Sequence, residues 1–415
     1  MKKLKILVSA YACNPSATEE SYPGEAILGW NLVMQLSRFH DILVITRGYN
    51  QKAIEEEIKK GNISNATFFY LDLPKIYFCL LSNFFGFRVY YLFWQIKAYF
   101  LARRLNIHFK FDVFHQITFN NDWMPSFIGA LLPITFIWGP VGGGQRVPLS
   151  LFAELSLKNR IYENARQIGQ WFWRKSLFRK MCERNARAIL VCNQESKIKF
   201  TCSDKKIYFF AVNGISPEEL SPSFGGKINK NIFYIFYAGR FDAIKGLSLG
   251  IKSFAIFTDK HKDSKFIIIG QGPEESRLKK LAHNLDIESK VNFIPWLSRK
   301  RLIEEIRKCD VLFFPSFRDG GGAIVVEAMA NGKPVICLDI GGPGFHIQEE
   351  WGIKIAPINP DYVSNEAAKA LEKLYLDKDL RIKMGIAARK RAEEFYLWDR
   401  LGERLQDIYK GVLKL

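Results

Sequence analysis

Two stretches of this chain combine charge and glycine in ways that suit the handling of a diphosphate. In Gly239-Arg240-Phe241-Asp242-Ala243-Ile244-Lys245-Gly246, a forked guanidinium and a compact ammonium share one loop between glycines, the pairing that phosphate oxygens favour. Gly239 and Gly246 permit backbone turns and close approach of a ligand. Further on, Arg318-Asp319 precedes Gly320-Gly321-Gly322 and then Ala323-Ile324-Val325-Val326-Glu327. Three glycines opening a helix present backbone N–H groups at its positive end, which makes an anion site. Glu327, about a turn inside that helix, can reach the hydroxyls of a ribose, and Asp319 can accept hydrogen bonds from another polyol. Each stretch has a plainer reading as well: solvated loop charges for the first, an N-capping aspartate and a solvated glutamate for the second.

Other candidates are weaker. His115, in Asp112-Val113-Phe114-His115, is either an acid–base group or a histidine satisfied in the core. Asp377-Lys378-Asp379 is the chain's D-x-D pattern, but it lies in a late helical region where a solvated turn fits better than a metal site. The seven cysteines are scattered, odd in number and without C-x-x-C spacing, which argues against a disulfide framework or a zinc ribbon and fits a reducing compartment.

The elements that must position these residues follow one grammar. Short apolar strings at Lys5–Ala10, Ile42–Thr46, Val113–His115, Ile134–Trp138 and Ala188–Cys192 read as strands, with a helix at Ala26–Ser37. The second half repeats the pattern with strands at Phe233–Ala238, Lys265–Ile269, Val291–Ile294, Val311–Phe314 and Val335–Leu338, and with helices near Ser248–Phe257, Glu274–Leu285 and from Ala323. Apolar strands of four to six residues alternating with helical stretches predict an α/β protein with parallel sheets covered on both faces. Two such series in 415 residues predict two doubly wound, Rossmann-like domains. We expect a first domain over 1–215, a second over 216–390, and a C-terminal helix over 391–415 that can pack back on the first; the helical pattern itself runs through Ala387–Leu413. The linker falls in Ser216–Lys230, where Pro217, Pro222, Gly225 and Gly226 interrupt the apolar pattern. Ligands of such sheets gather beyond the carboxyl ends of the strands, so the cleft between the sheets is the expected site. Gly142-Gly143-Gly144, after the strand Ile134–Trp138, can face that cleft too, with no ligand assigned.

Charge adds a partner. The chain carries a net +18, of which +13 falls in residues 1–215. Between Lys158 and Arg187 nine basic residues meet two acids, interleaved with Trp171, Phe172, Trp173, Phe178 and Met181. A basic amphipathic helix of this kind suits an anionic membrane surface; the alternative is a packed aromatic face with a solvated basic one. Nucleic acid is not expected, since no recognition motif accompanies the charge. The aromatic segment Ile76–Arg104 is interrupted by Arg88 and Lys97 and is too short of uncharged residues to span a bilayer, leaving a buried layer or an interfacial surface. The lysines and short apolar run at the N-terminus read as a first buried strand rather than a targeting signal.

Motif order supplies a resemblance. Gly239-Arg240…Lys245-Gly246, Gly270-Gln271-Gly272-Pro273, Pro315-Ser316 with Asp319, and Glu327-Ala328-Met329-Ala330 with Gly332-Lys333-Pro334-Val335 together resemble the retaining, nucleotide-sugar-dependent glycosyltransferases of family 4, which have the GT-B fold. In the first half, Ser9-Ala10-Tyr11-Ala12-Cys13, Pro23-Gly24, Gly29-Trp30-Asn31 and Trp138-Gly139-Pro140-Val141-Gly142-Gly143-Gly144 are similar to a bacterial subgroup concerned with surface glycans. The resemblance implies retaining hexosyl transfer from a UDP- or GDP-sugar to a glycan or lipid-linked acceptor. It also implies no tightly bound cofactor and no metal requirement, with cationic side chains in the metal's place. Arg240 and Lys245 would hold the donor diphosphate, Glu327 its ribose, and Gly321, Gly322 and Ala323 the sugar or phosphate through their backbone. Gly24 would leave room near the donor, Gly239 would turn the diphosphate loop, and Asp319 would contact the transferred sugar. Asp319 stands where the family has Glu, one methylene shorter. Family members often place a functional histidine two residues beyond His115, where this chain has Ile117. A cytoplasmic protein peripheral to the inner face of the membrane, working in envelope polysaccharide or glycolipid synthesis, is the resulting expectation. The competing readings are a nucleotide-sugar epimerase of the same fold and a non-catalytic homologue that binds a membrane or a partner.

Overall fold

A computed structural model describes residues 3–15, 24–82, 84–221 and 232–413. Among the described residues thirteen strands form two sheets, all of whose pairings are parallel. The first sheet holds β1 (Lys5–Ser9), β2 (Asp41–Thr46), β3 (Ala66–Tyr70), β4 (Val113–Gln116), β5 (Thr135–Val141), β6 (Ala186–Val191) and β7 (Ile207–Phe209), ordered β3-β2-β1-β4-β5-β6-β7. The second holds β8 (Phe233–Ala238), β9 (Ser264–Ile269), β10 (Val291–Ile294), β11 (Val311–Phe314), β12 (Val335–Leu338) and β13 (Gly352–Ile355), ordered β10-β9-β8-β11-β12-β13. The order reverses between β1 and β4 in one sheet and between β8 and β11 in the other. These are the switch points where a crevice opens beyond the strand ends. The central strands are buried almost throughout, as β11 and β12 show, because helices cover both faces and every side chain meets one.

The helices that bear on the site are α1 (Gly24–Ser37), α2 (Phe84–Phe109), α3 (Leu157–Arg174), α4 (Leu177–Asn185), α5 (Leu247–Lys260), α6 (Arg299–Lys308), α7 (Ala323–Ala330), α8 (Gly341–His346), α9 (Lys378–Phe395) and α10 (Trp398–Leu413). Helix α2 resolves the ambiguity of the aromatic segment by being both things at once. Tyr90, Tyr91, Trp94, Ala98 and Ala102 are buried against the first sheet, while Phe93, Ile96, Phe100 and Ile107 face outward.

The C-terminal stretch departs from the single helix expected over Ala387–Leu413. It breaks at Tyr396–Leu397, where Ile215 N–H donates to Tyr396 O and Trp398 N–H donates to Ile215 O. Those two bonds take the chain from one sheet's helical layer to the other's. Helix α10 then packs on α1: Gly402 lies against Gln35, and Gln406 Oε1 meets His40 Nε2 at 2.9 Å. Of the expected linker, Glu219 and Leu220 are tied to α6 through Arg299 and Arg307, whereas Pro222, Gly225 and Gly226 lie outside the described residues.

Candidate active site

The two glycine-flanked stretches meet at the switch point of the second sheet. β8 runs directly into Gly239-Arg240, and β11 into Pro315–Asp319. The loops are pinned together: Phe317 N–H donates to Ile244 O at 2.9 Å. Gly246 has φ +66°, and a Cβ there would stand 2.0 Å from Pro315 O. That closeness is available only to glycine and sets Lys245 beside the loop after β11.

Lys245 Nζ lies 2.5 Å from Asp319 Oδ2. The other carboxylate oxygen accepts from Gly322 N–H at 2.6 Å and Gly321 N–H at 3.1 Å. Burial alone would raise the Asp319 pKa; the Lys245 charge and these hydrogen bonds outweigh it and hold the carboxyl below its usual range. The amides ahead of α7, expected to cradle a donor anion, are therefore occupied by the chain's own carboxylate. Direct contact of Gly321 and Gly322 with sugar or phosphate therefore requires Asp319 to leave these amides. Asp319 also orders the loop itself, since Gly322 at φ +60° caps α7 only in that turn.

Arg240 pairs with Asp242 at 2.9 Å and stays partly exposed. Both candidate diphosphate cations thus rest on carboxylates, Arg240 on one of its own loop and Lys245 on one of the loop after β11, in a geometry an incoming diphosphate can enter by exchange. Glu327 is buried on α7 and accepts from Arg299 at 2.5 Å, and Arg299 also holds Glu219. Burial opposes the Arg299 charge, but the two carboxylates prevail and raise its pKa. Arg299 was not anticipated; its i, i+28 relation to Glu327 leaves no local signal in the sequence. Gly24 opens α1 with nothing within 4 Å of where a Cβ would stand. Ala323 is the first residue of α7.

His115 is not at the cleft. Its ring is fully buried, with Nε2 2.8 Å from Gly139 O and Nδ1 2.8 Å from the Tyr409 hydroxyl of α10. Burial lowers its pKa to about 4. A neutral ring with both nitrogens engaged ties Gly139 of β5 to Tyr409 of α10, so the catalytic role expected for it is withdrawn. A second histidine, missed in the sequence, is built the same way: His346 ends α8 with Nε2 2.8 Å from Gly321 O and Nδ1 2.8 Å from the Tyr396 hydroxyl. Its pKa is also lowered to about 4 by burial.

The first domain supplies the facing wall. Asn193 Nδ2 donates to Gly320 O at 2.9 Å, Gly341 N–H donates to Glu195 Oε1 at 2.5 Å, and Arg318 reaches the buried Glu163 of α3, which also holds Arg166. Among the described residues no group of three His, Cys, Asp or Glu side chains could hold a metal ion, and Asp377 of the D-x-D pattern caps α9 by accepting from Leu380 N–H.

Comparison with known proteins agrees with this geometry. The model for glycosyl transferases group 1 matches residues 223–391. An uncharacterized glycosyltransferase of Methanocaldococcus jannaschii is 24% identical over 318 residues, covering 74% of this chain and 77% of its own. The D-inositol 3-phosphate glycosyltransferase of Pseudarthrobacter chlorophenolicus is 25% identical over 315 residues, covering 70% and 69%. Among solved structures, a glycosyltransferase from Rickettsia africae superposes with a TM-score of 0.66 at 17% identity over 100% of both chains. Sucrose-phosphate synthase from Thermosynechococcus elongatus gives 0.65 at 16% over 99% and 100%. The family-model match, these relatives and the two parallel sheets together identify this chain as a nucleotide-sugar-dependent glycosyltransferase of GT-B fold, related to the family 4 enzymes.

Proposed function

We propose that the enzyme transfers a hexose, with retention of anomeric configuration, from a UDP- or GDP-sugar to a glycan or lipid-linked acceptor in the building of a cell-surface polysaccharide or glycolipid. The observation that carries this reading is the Lys245–Asp319 pair seated on the Gly321 and Gly322 amides beside Arg240. Bond cleavage leaves negative charge on the departing nucleoside diphosphate, and cations already placed there stabilise it without reorganising. Lys245 exchanges Asp319 for the diphosphate, and the carboxylate so released turns to the sugar hydroxyls. Its one-methylene-shorter reach than the family's glutamate bears on which sugar fits. Glu327 holds the ribose once Arg299 has fixed its rotamer. No side-chain nucleophile stands in the constellation; the leaving diphosphate oxygen itself assists the incoming hydroxyl, which then arrives on the same face.

The enzyme works at the cytoplasmic face of the membrane, docked through 158–187. Leu157, Ile161, Ile168, Trp171 and Phe172 form one exposed stripe of α3, with Leu157 at 72% and Phe172 at 63%. Lys158 and Lys175 flank it, the latter with Nζ 3.6 Å from the Trp171 ring centroid. This apolar strip edged with cations complements an anionic lipid surface. No described helix is long and apolar enough to cross a membrane.

The test is saturation-transfer NMR of the full chain against UDP-, GDP- and ADP-sugars, with an Arg240→Ala, Lys245→Ala double variant as control. Selective binding that the double variant loses supports the donor site. Binding that survives it overturns the assignment. Proton couplings of the product anomeric centre then report retention or inversion.

A further inference from the structure

The glycine run of the first domain has no role in the donor site, and its surroundings point to one of its own. Gly142–Gly144 leaves the end of β5 and lies against the turn after β6: a Cβ on Gly144 would stand 2.4 Å from Glu195 O. Gly143 N–H donates to Gln145 Oε1, and Gln145 Nε2 donates to Ser196 Oγ at 3.3 Å. A Cβ on Gly320, the residue after Asp319, would stand 3.6 Å from Gln145 Nε2. The loop thus faces the reacting end of the donor site across the cleft.

Cations gather around it. Arg174 pairs with Asp122, whose Oδ1 would stand 3.1 Å from a Cβ on Gly143. Arg179 ties Asp122 O, at 3.0 Å, to Lys199 O, at 2.8 Å, and so brings Lys199 to the same side. Burial, then the like charges of Arg146 and Arg174, lower the Lys199 pKa, with Asp122 and Glu195 opposing. Among the described residues neither the exposed Arg146 guanidinium nor the Lys199 ammonium has a hydrogen-bond or ion-pair partner. Asp122 Oδ1, fully buried, also lacks a hydrogen-bond donor. Two unneutralised cations beside an accepting carboxylate oxygen fit a ligand with an oxyanion close to a hydroxyl.

We propose that the Gly142–Gly144 loop, Arg146 and Lys199 form an acceptor subsite for an oxyanion, a phosphate or carboxylate borne by the sugar or headgroup that receives the new residue. Arg146 and Lys199 bind the anion, Arg174 holds the Asp122 carboxylate in place, and the glycines let the acceptor reach the backbone beside Gly320. This inference rests on the transferase reading and goes on to name the acceptor's charge.

Saturation-transfer titration of the full chain with glucose 6-phosphate, glucuronate and glucose tests it. The same titration of the Arg240→Ala, Lys245→Ala variant ensures that the anions are not read at the donor site. Both anionic sugars, or one of them, should bind at least about tenfold more tightly than glucose; Arg146→Ala and Lys199→Ala should each weaken that binding about tenfold. A preference for glucose 6-phosphate assigns a phosphate, and one for glucuronate a carboxylate. Arg146→Lys should keep most of the affinity. UDP binding should be unchanged in all three, so loss of the donor site and loss of this subsite are separately visible. Glucose bound as well as the anions, anion binding unaltered in both alanine variants, or no anion binding by the wild type overturns the proposal.

Discussion

The molecule carries two triple-glycine loops, each beyond the end of a strand, and they face one another across the cleft. In the second domain Gly320-Gly321-Gly322 opens α7, and its amides close on Asp319. In the first domain Gly142-Gly143-Gly144 opens no helix; the chain continues irregularly to Gln145, and cationic side chains stand around it. Each domain also has a buried histidine between a glycine carbonyl and a tyrosine hydroxyl: His346 holds Gly321 of the loop before α7, and His115 holds Gly139 of β5. The local chemistry is the same. What differs is the segment being held: one is the loop that carries the carboxylate meeting Lys245, the other the end of a strand that leads toward a glycine run. A motif's function therefore follows from what its neighbours place beside it.

The comparison breaks first at Lys245. Lys245→Ala removes the cation proposed to meet leaving-group charge, and kcat should fall by about 10²–10³-fold while the circular dichroism spectrum is kept; an unaltered kcat would put the reacting centre elsewhere. Glu327→Ala should act on binding, raising the donor KM by about tenfold, with a smaller change in kcat. Initial rates over a donor titration separate the two.

The histidine pair gives a sharper contrast. His346→Phe and His115→Phe each leave a buried carbonyl and hydroxyl without a partner, a loss of roughly 1–3 kcal/mol readable by urea unfolding. Only His346→Phe should also lower kcat, by several-fold, because it releases Gly321 beside the Asp319 seat. Equal kcat losses in both variants would dissolve the distinction. Acid sensitivity follows from the same rings. Folded, they stay neutral down to about 4; unfolded, they take up protons near 6.5. The unfolded chain therefore binds more protons in that window, and stability falls as pH drops from about 6.5 toward 4, by up to roughly 3 kcal/mol per ring. Each Phe variant should flatten its share of that slope.

The smallest effect on the fold should come from the outer face of α3. Trp171→Ser with Phe172→Ser ought to leave the unfolding free energy within about 0.5 kcal/mol and donor hydrolysis unchanged. Sedimentation with vesicles of phosphatidylglycerol and phosphatidylcholine should fall severalfold. Equal sedimentation of variant and wild type would remove α3 as the docking element.

Much of the architecture was legible because buried parallel strands leave apolar strings that no surface element imitates. The strands not anticipated, β3, β7 and β13, all lie at sheet edges. Edge strands need cover on fewer sides; β3 and β7 are partly exposed along their length, and β7 has three residues. Of the three, only β13 is interrupted by a charge, at Lys354; β3 and β7 run into the apolar stretches Phe68–Leu71 and Ile207–Val212. The cation–glycine–carboxylate motifs were legible too, since each falls within one loop whose geometry the residue types dictate. The internal engagement of Asp319 was not, because it depends on two loops meeting at the β8–β11 switch point.

The sequence by itself determined the two parallel sheets, the strand ends at which Arg240, Lys245 and Asp319 stand, the helix that carries Glu327, and the basic, aromatic character of 158–187. These are local properties, set by side-chain period, backbone freedom and charge within a few residues. Tertiary structure alone decided the partners. Tyr409 meets His115 from 294 positions away, Arg318 crosses the cleft to Glu163, and the helix expected over Ala387–Leu413 breaks at Tyr396–Leu397 where Ile215 receives the chain. The reason is physical: a buried polar group must find a partner wherever packing provides one, and packing is a property of the closed molecule.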